Sequence, residues 1–548
     1  MTSVFCPTRT RPPPFKDPRT PWILATASAV ICWLAYVGPG IWPLAFVSWT
    51  PFILAIRGQT AKRATWIAFY AGTAMIAGGF YWLLGMLKTF SGFPMPLCAL
   101  FALILWAYQG GRYALTGWLA VRAEQRGWPF GFAFVAAYAT TELLYPLLFP
   151  YYWAAAMHNA PVMVQIADLG GPILVTVVVM GVNVALAEIV LARLGQPASK
   201  RVVYAAGGAL AFTFAYGLFR MWSIGAKMEA SEAIHVGLVQ GNLGLMQQHT
   251  RPTESLRRHR QATAALKKKG AELVVWSESA VDFAAEEHEI GPFYKANVTQ
   301  GIGVPLIFGT VLIHVGSGAG DRDRWFNSAI STDANGDFTG RYDKEYLLAF
   351  GEYLPLGESF PILYEWSPNS GRFSPGTKLD SLPLGKHKIG VLICYEDIIP
   401  TYVNDIVRAE DPDLLVNITN DAWFGVTYEP WQHLALAKMR AVEHRRYLLR
   451  ATNSGVSAII DPLGRMIAST EVKDVQSGVK DADFIDGTVR WMKTFTLYGA
   501  VGDLPWYLVA LGSIVAAFRR KKPSDDVKLQ DTEAKGGPSV QREQEKNA

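Results

Sequence analysis

The chain has 548 residues, 50% of them hydrophobic, and a formal net charge of +5. This length allows two or more domains. The modest charge, without a long basic tract interleaved with aromatic residues, predicts no nucleic-acid partner. The four cysteines, two of them inside apolar segments, exclude a disulfide framework.

Eight apolar segments approach the roughly 20 residues that a membrane-spanning helix needs. Seven of them predict a transmembrane domain over residues 21–222, and the eighth predicts a C-terminal transmembrane helix over 496–518. Arg112 and Glu142 lie inside two of these spans. Charges there are costly and often functional, but the two residues could instead pair or lie near an interface. The segments are 22–38, 41–56, 64–87, 95–120, 129–149, 161–192, 202–222 and 496–518.

The loops between these segments alternate between basic and nearly uncharged. Lys and Arg are concentrated in the N-terminal tail, residues 1–20, in every second loop and in the tail after residue 518. This pattern predicts that both termini are cytoplasmic and that residues 223–490 lie on the far side of the membrane. Residues 519–548 are highly charged and poor in apolar side chains, so we expect a disordered cytoplasmic tail.

Residues 223–490 alternate short apolar runs with longer polar-apolar stretches, which is typical of an α/β domain. Two stretches, 251–269 and 430–449, predict helices. The first holds seven Lys and Arg residues, and the helical spacing of its apolar residues favours a solvated helix face over a nucleic-acid contact. Five apolar runs predict buried strands: 234–242, 272–279, 304–313, 387–397 and 413–420.

Three reactive side chains stand in or near apolar runs of this domain. Cys394 in GVLICYED is the cysteine outside the apolar spans and the N-terminal tip, Glu278 lies in VVWSES, and Lys344 lies in RYDKEYLLAFGEYLP. A carboxylate can deprotonate a thiol, and an ammonium can stabilise an oxyanion. Taken singly, each has a plain structural explanation: a core cysteine, a helix cap and a solvated lysine. The histidines lack metal-ligand spacing and no Gly-rich phosphate loop follows a strand, so we expect neither a metal nor a cofactor.

Six segments of the chain together are similar to a known family. Residues 234–466 resemble the nitrilase (carbon–nitrogen hydrolase) superfamily, and with the flanking spans nearly the whole chain resembles the bacterial apolipoprotein N-acyltransferases. The resemblance implies an α-β-β-α sandwich carried by a polytopic α-helical membrane domain of about eight spans. The segments are VGLVQGN, VVWSES, YDKEYLLAFGEYLP, GVLICYED, VNITNDAWFG and PWQHLALAKMRAVEHRRYLLRATNSG.

The resemblance also implies roles for single residues. Glu278 would be the general base, Lys344 the stabiliser of the intermediate and Cys394 the nucleophile. Tyr145 departs from the family pattern, because an arginine often stands there after the membrane glutamate. A second departure is a histidine near a position where the family often has a functional tryptophan. The residues with implied supporting or substrate-contacting roles are Glu352, Tyr395, Glu396, Trp423, Phe424 and His249.

The implied reaction is ping-pong acyl transfer in the bacterial inner membrane. Cys394 would take an acyl chain from a membrane phospholipid as a thioester and pass it to the α-amino group of the diacylglyceryl-cysteine of an apolipoprotein. The chain would act as a monomer with a periplasmic catalytic domain. The alternatives are a membrane-tethered amidase with water as the acceptor and a non-enzymatic membrane scaffold. The apolar segment 347–366 could be a lid resting on lipid or a loop packed on its own domain.

Overall fold

The computed structural model describes residues 14–36, 38–244, 251–316, 322–366, 370–475, 479 and 481–519. His249 and most of the two predicted tails lie outside the described residues. From residue 20 to residue 230 the described chain is almost entirely helical. The helices are α1 (Thr20–Ala35), α2 (Thr50–Ile56), α3 (Ala61–Gly79), α4 (Leu83–Ser91), α5 (Met95–Gln125), α6 (Phe130–Leu144), α7 (Pro161–Val164), α8 (Ala167–Arg193) and α9 (Lys200–Ala230).

Helices occupy all eight segments in which spans are predicted. Among the described residues, α8 and α9 are each long and apolar enough to cross a membrane. The pair α3 and α4 makes a third candidate span, bent by 61° at its break. Four further apolar helices have 10–17 residues, fewer than a straight span needs. The count of eight spans therefore stays a prediction.

The second part of the chain folds into two β-sheets with helices on their outer faces. One sheet has the strand order β13-β1-β2-β4-β5-β6, with β3 beside β4, and the other has the order β12-β11-β10-β9-β8-β7. The strands are β1 (Ala233–Gln240), β2 (Leu273–Trp276), β3 (Val281–Glu286), β4 (Leu306–His314), β5 (Arg324–Thr332), β6 (Phe338–Asp343), β7 (Leu382–Leu384), β8 (His387–Ile393), β9 (Leu414–Thr419), β10 (Leu448–Thr452), β11 (Ala458–Ile460), β12 (Met466–Ser469) and β13 (Asp483–Arg490).

Helices complete this part of the chain and return it to the apolar region. The two longest helices, α10 (Pro252–Lys268) and α14 (Glu429–His444), confirm the two predicted helices, although α14 ends at His444 and residues 448–449 begin β10 instead. All five predicted strands are confirmed with small shifts at their ends. The helices are α10 (Pro252–Lys268), α11 (Ile290–Tyr294), α12 (Ile362–Trp366), α13 (Pro400–Glu410), α14 (Glu429–His444), α15 (Leu497–Val501) and α16 (Leu504–Phe518).

Three separate apolar cores give this domain four layers. In β2, Leu273 and Val275 face the core between the sheets, whereas Val274 and Trp276 face the core under α10. Successive side chains of a strand point to opposite faces, so a fully apolar strand can serve both cores. A third core joins the other sheet to α13 and α14. The predicted α-β-β-α sandwich is therefore confirmed.

Candidate active site

Cys394 stands where β8 ends and a 3-10 turn, Cys394–Ile398, begins. Its φ of +52° lies in the left-handed region, which costs a non-glycine residue energy unless its surroundings hold it there. The Asn417 side chain donates to the Cys394 carbonyl at 3.1 Å, and the Ile393 N–H donates to the Glu396 carboxylate at 2.8 Å. The turn is thus fixed from both sides, and Cys394 is partly exposed at the edge of the sheet.

Glu278 and Lys344 follow the carboxyl ends of β2 and β6, and the structure brings them to Cys394. The Lys344 ammonium lies 2.8 Å from Glu352 Oε2 and 3.7 Å from Glu278 Oε1. Lys344 is 1% exposed and Glu278 is 7% exposed, so the charges interact in a largely dry setting. The carboxyl ends of strands in both sheets therefore meet at one site.

Burial and charge set the protonation of these groups. Burial raises the pKa of the Glu278 carboxyl, with Lys344 opposing and Glu352 adding to the shift. Burial and the Glu278 carboxylate raise the pKa of the Cys394 thiol well above its usual range, although Lys344 lowers it. Burial alone would lower the pKa of Lys344, but Glu352, Cys394 and Glu278 raise it. The site at rest therefore holds a neutral thiol, a charged lysine and a carboxylate that accepts protons readily.

Asn327, on β5, joins the two carboxylates. Its amide group donates to Glu278 Oε1 at 2.7 Å and to Glu352 Oε1 at 2.8 Å. Its backbone carbonyl accepts the Lys344 N–H at 2.8 Å. Asn327 is 6% exposed. One buried side chain thus sets the distance between the two glutamates, and the sequence interpretation did not identify it.

Glu396 fastens the turn of Cys394 to the chain that follows Lys344. Its carboxylate accepts from the hydroxyl of Tyr342 at 2.7 Å and from the N–H groups of Glu345 at 2.7 Å and Tyr346 at 3.1 Å, besides that of Ile393. Burial raises the pKa of Glu396 to about 7, although these hydrogen bonds oppose the shift. Glu396 therefore holds the backbone of the site rather than contacting its centre.

Tyr395, Phe424 and Trp423 lie on the side of the site that faces the helical region. The Tyr395 hydroxyl donates to the Leu148 carbonyl at 2.8 Å. The Phe424 ring packs edge-on against Trp82, at the break between α3 and α4, with 5.1 Å between ring centroids. Trp423 is partly buried in the adjoining 3-10 turn. Two of the three residues thus connect the site to the apolar helices.

Arg112 and Glu142 form a buried ion pair inside the helical region. Arg112 Nη2 lies 2.9 Å from Glu142 Oε1, and the same oxygen accepts the Trp153 N–H at 2.9 Å. Arg112 also donates to the Tyr151 carbonyl at 3.0 Å. The sequence left open whether these two charged residues are functional, pair with each other or lie near an interface, and the structure shows that they pair. Through the backbone of Tyr151 and Trp153, the pair also holds the loop that carries Leu148.

One group in the described part of the chain has the spacing of a metal site. Ligand atoms of Asp421, Glu429 and His433 all lie within 4.8 Å of one another. Burial lowers the pKa of His433, but Asp397 and Asp421 raise it to about 10. Arg450 donates to Asp397 at 2.7 Å and to Asp421 at 3.0 Å. His433 and Arg450 thus both pair with Asp397 and Asp421, and we interpret the group as a charge network beneath Cys394.

Comparison with known proteins extends across both parts of the chain. The family model for carbon-nitrogen hydrolases matches residues 235–483, and the model for the apolipoprotein N-acyltransferase N-terminal domain matches residues 28–185. An apolipoprotein N-acyltransferase of Geobacter metallireducens is 33% identical over 537 residues, which cover 94% of this chain and 98% of that protein. This chain belongs to the apolipoprotein N-acyltransferase family. The resemblance identified from sequence is confirmed, and the chain is an acyltransferase.

Two further proteins, another acyltransferase and an amidase, are similar to this chain over different lengths. The apolipoprotein N-acyltransferase of Vibrio cholerae is 29% identical, over 91% of this chain and 97% of that protein. A nitrilase-superfamily amidase of Nesterenkonia AN1 is similar in structure, with 18% identity and a TM-score of 0.33, over 47% of this chain and 90% of the amidase. The two acyltransferases thus match 94% and 91% of this chain.

Proposed function

We propose that this acyltransferase moves an acyl chain from a membrane phospholipid to the α-amino group of the N-terminal diacylglyceryl-cysteine of an apolipoprotein. Cys394 is the covalent carrier, Glu278 the general base and Lys344 the stabiliser of the intermediate. The observation that carries the proposal is the placement of Glu278 and Lys344 beside Cys394 at one edge of the sheets. The family name supports an apolipoprotein as the acceptor of the acyl chain. The apolar helices of this chain favour a lipid as the donor.

In the first half-reaction the thiol becomes acylated. Glu278 takes the thiol proton as the sulfur attacks the ester carbonyl, and the ammonium of Lys344 stabilises the oxyanion. When the intermediate collapses, the C–O bond of the ester breaks and Glu278 returns the proton to the leaving oxygen. A lysophospholipid departs, and a thioester remains on Cys394.

In the second half-reaction the amine of the acceptor attacks this thioester. Glu278 takes a proton from the attacking nitrogen, Lys344 again stabilises the oxyanion, and the C–S bond breaks. The proton then passes to the sulfur, which restores the thiol and leaves an amide on the acceptor. Glu352 keeps Lys344 in place through its 2.8 Å contact.

The surface beside the site suits lipid substrates. The segment 347–366 and the adjoining Tyr346 are anchored by Leu354 and Tyr364, which are 7% and 9% exposed. Six large apolar or aromatic side chains around these anchors are exposed, and we propose that they rest on the membrane as a lid. They are Tyr346, Phe350, Tyr353, Leu356, Phe360 and Ile362.

We also propose the orientation that the basic loops predict. The chain crosses the inner membrane eight times, both termini are cytoplasmic, and a monomer presents its sandwich domain to the periplasm. The two ends of the sandwich domain are continuous with α9 and α15, which supports a site held close to the bilayer surface.

A labelled phospholipid tests the carrier directly. The full chain is incubated with phospholipid labelled in its acyl chains, and the protein is examined for an adduct that hydroxylamine removes. Cys32→Ala, at a buried cysteine of α1, is the matched control for Cys394→Ala. We expect label on the wild type and on Cys32→Ala only. Equal labelling of Cys394→Ala would refute the thioester.

Adding a diacylated lipopeptide then separates acyl transfer from hydrolysis. We expect the label to move to the amine of the lipopeptide. Release of the label as free fatty acid, with an unmodified lipopeptide, would instead favour a membrane-tethered hydrolase that uses water.

A further inference from the structure

A shallow, largely open surface cavity lies at the N-terminal ends of two packed helices, α1 and α3. It has a volume of about 370 Å³ and is lined by Trp22, Thr60, Lys62, Arg63 and Trp66. None of these residues belongs to the site of Cys394. The cavity combines two basic side chains, a hydroxyl and two indole rings.

The opposite ends of the same helices contact the sandwich domain. Gln432 of α14 donates to the carbonyl of Gly79, the last residue of α3, at 2.8 Å. Gly38, just after α1, lies so close to Tyr428 that a Cβ there would come within 2.7 Å of the ring. At 1.5 Å per residue, α3 is about 28 Å long, close to the roughly 30 Å of a bilayer core. The cavity is therefore about one membrane thickness away from the sandwich domain.

The aromatic residues of the cavity suit the level of the lipid head groups. Trp66 is 58% exposed and Trp22 is 38% exposed, and both lie near the start of apolar helices. Indole rings prefer the boundary between hydrocarbon and water, because they combine an apolar face with an N–H donor. Below them, the ring of Tyr70 packs on Trp22, and its hydroxyl lies 3.0 Å from that of Thr26. The same surface thus leads from a polar mouth to apolar helix.

The basic residues give the cavity its charge preference. Lys62 is exposed, and Arg63 donates one hydrogen bond to the carbonyl of Pro18 at 2.8 Å, which fixes its guanidinium at the mouth. Lysine and arginine at this level attract anionic lipids. A phosphodiester would meet two cations and the hydroxyl of Thr60, and its acyl chains would continue along the exposed rings.

We propose that this cavity binds the head group of an anionic phospholipid, such as phosphatidylglycerol, in the leaflet opposite to the sandwich domain. The indole rings favour a lipid over free phosphate, because free phosphate would gain nothing from them. The site is independent of acyl transfer, since it requires only that these helices lie in a bilayer.

The test measures binding of fluorescent phosphatidylglycerol to the full chain in micelles of a neutral detergent. The variant Lys62→Ser/Arg63→Ser removes both cations. Its matched control is Lys200→Ser/Arg201→Ser, because Lys200, Arg201 and Tyr204 repeat the same spacing at the start of α9 and Tyr204 is 75% exposed on open helix surface. The swap Lys62→Arg/Arg63→Lys keeps the charge, and melting temperatures show that all variants fold.

We expect the Lys62→Ser/Arg63→Ser variant to bind phosphatidylglycerol about 20- to 30-fold more weakly, since each basic residue near an anionic surface contributes about fivefold. The control and the charge-keeping swap should bind like the wild type, and phosphatidylcholine should bind weakly to all. Equal losses in the variant and the control, or no preference for phosphatidylglycerol, would overturn the proposal. Displacement of the lipid by millimolar inorganic phosphate would also overturn it, because the site would then be one for a free anion.

Discussion

The Tyr395 hydroxyl donates a 2.8 Å hydrogen bond to the carbonyl of Leu148, which joins the turn of the nucleophile to a loop of the helical region. That loop is itself held by the buried pair of Arg112 and Glu142, through the backbone of Tyr151 and Trp153. These hydrogen bonds, together with the loop backbone between Leu148 and Trp153, therefore connect the turn of Cys394 to the apolar helices. Such a connection suits the proposed reaction of this thiol with a lipid substrate.

Replacing Tyr395 with Phe tests this connection. The ring stays, but the Leu148 carbonyl loses its donor, which costs about 1 kcal/mol in the free energy of unfolding. We expect a lower melting temperature together with slower acylation of Cys394 by phospholipid. Tyr204→Phe is the control, because Tyr204 is 75% exposed on α9. A Tyr395→Phe variant that melts and reacts like Tyr204→Phe would contradict the role of this bond.

Removing the shared donor Asn327 should change the pH dependence of the reaction. The hydrogen bond from Asn327 lowers the pKa of Glu278, so in Asn327→Ala this pKa rises further and less of the base is ionised at a given pH. We expect the acid limb of the pH–rate profile to move to higher pH and the rate at neutral pH to fall about tenfold, or about 1.4 kcal/mol.

The control for this change is Asn297→Ala, because Asn297 is exposed and its amide donates to the carbonyl of Phe293 at 2.8 Å. A purely structural role of Asn327 would lower the rate by the same factor at every pH. An unshifted acid limb in Asn327→Ala would therefore contradict its effect on Glu278.

The sequence contained the strands and the reactive residues but not the contacts between distant segments. The strands of LVVW and HKIGVLI were predictable because the first is a continuous apolar run and the second contains one, IGVLI. The strand RWFNSAIST was missed, because its polar residues, including Asn327, interrupt the pattern. Asn417 and Arg450 are likewise polar residues inside largely apolar strands, and both are 0% exposed. A buried polar residue in such a strand is a usable signal, but its partner is set by strand pairing that the sequence does not show.

In the helical region, too, the sequence did not show which distant segments pack together. The sequence showed that Arg112 and Glu142 were costly in apolar spans, and their pairing required knowing that α5 and α6 pack together. It also showed that Tyr145 stands where the family often has an arginine. In the structure the guanidinium that pairs with Glu142 comes from α5 instead.

A charge on the exposed lid should weaken lipid binding without affecting the chemistry. Phe350 is 52% exposed and has a φ of +68°, a conformation that aspartate tolerates better than most residues. We expect Phe350→Asp, and likewise Leu347→Asp, to raise KM for phospholipid about tenfold, because lipid contact of an apolar side chain is lost.

A short-chain, water-soluble ester separates this effect from damage to the site, since its KM and kcat should stay at the wild-type values. Phe338→Asp is the matched control, because Phe338 is 42% exposed on β6. If the control Phe338→Asp raises KM for phospholipid as much as Phe350→Asp does, the segment is no lid.

Glu396 gives the stability of the site a pH dependence of definite sign. Burial raises its pKa from 4.5 to about 7, so between these values the folded chain holds a proton that the unfolded chain has released. The stability that this group contributes is complete below pH 4.5 and is lost as the pH rises through about 7. Glutamine cannot titrate, so the stability difference between the wild type and Glu396→Gln should be larger near pH 5 than near pH 8.

The substitution also places an amide N–H₂ against donors that the carboxylate now accepts. If the amide N–H₂ faces the N–H groups of Glu345 and Tyr346, both lose their acceptor; if it faces the other side, the Ile393 N–H loses its acceptor, whereas the Tyr342 hydroxyl can turn and donate to Tyr402. Either orientation costs about 1 to 2 kcal/mol at every pH. Melting temperatures at a series of pH values, with Glu358→Gln at an exposed position as the control, separate the two effects. A difference that stays constant with pH would leave the unpaired donors as its sole cause and would place the pKa of Glu396 near its ordinary value.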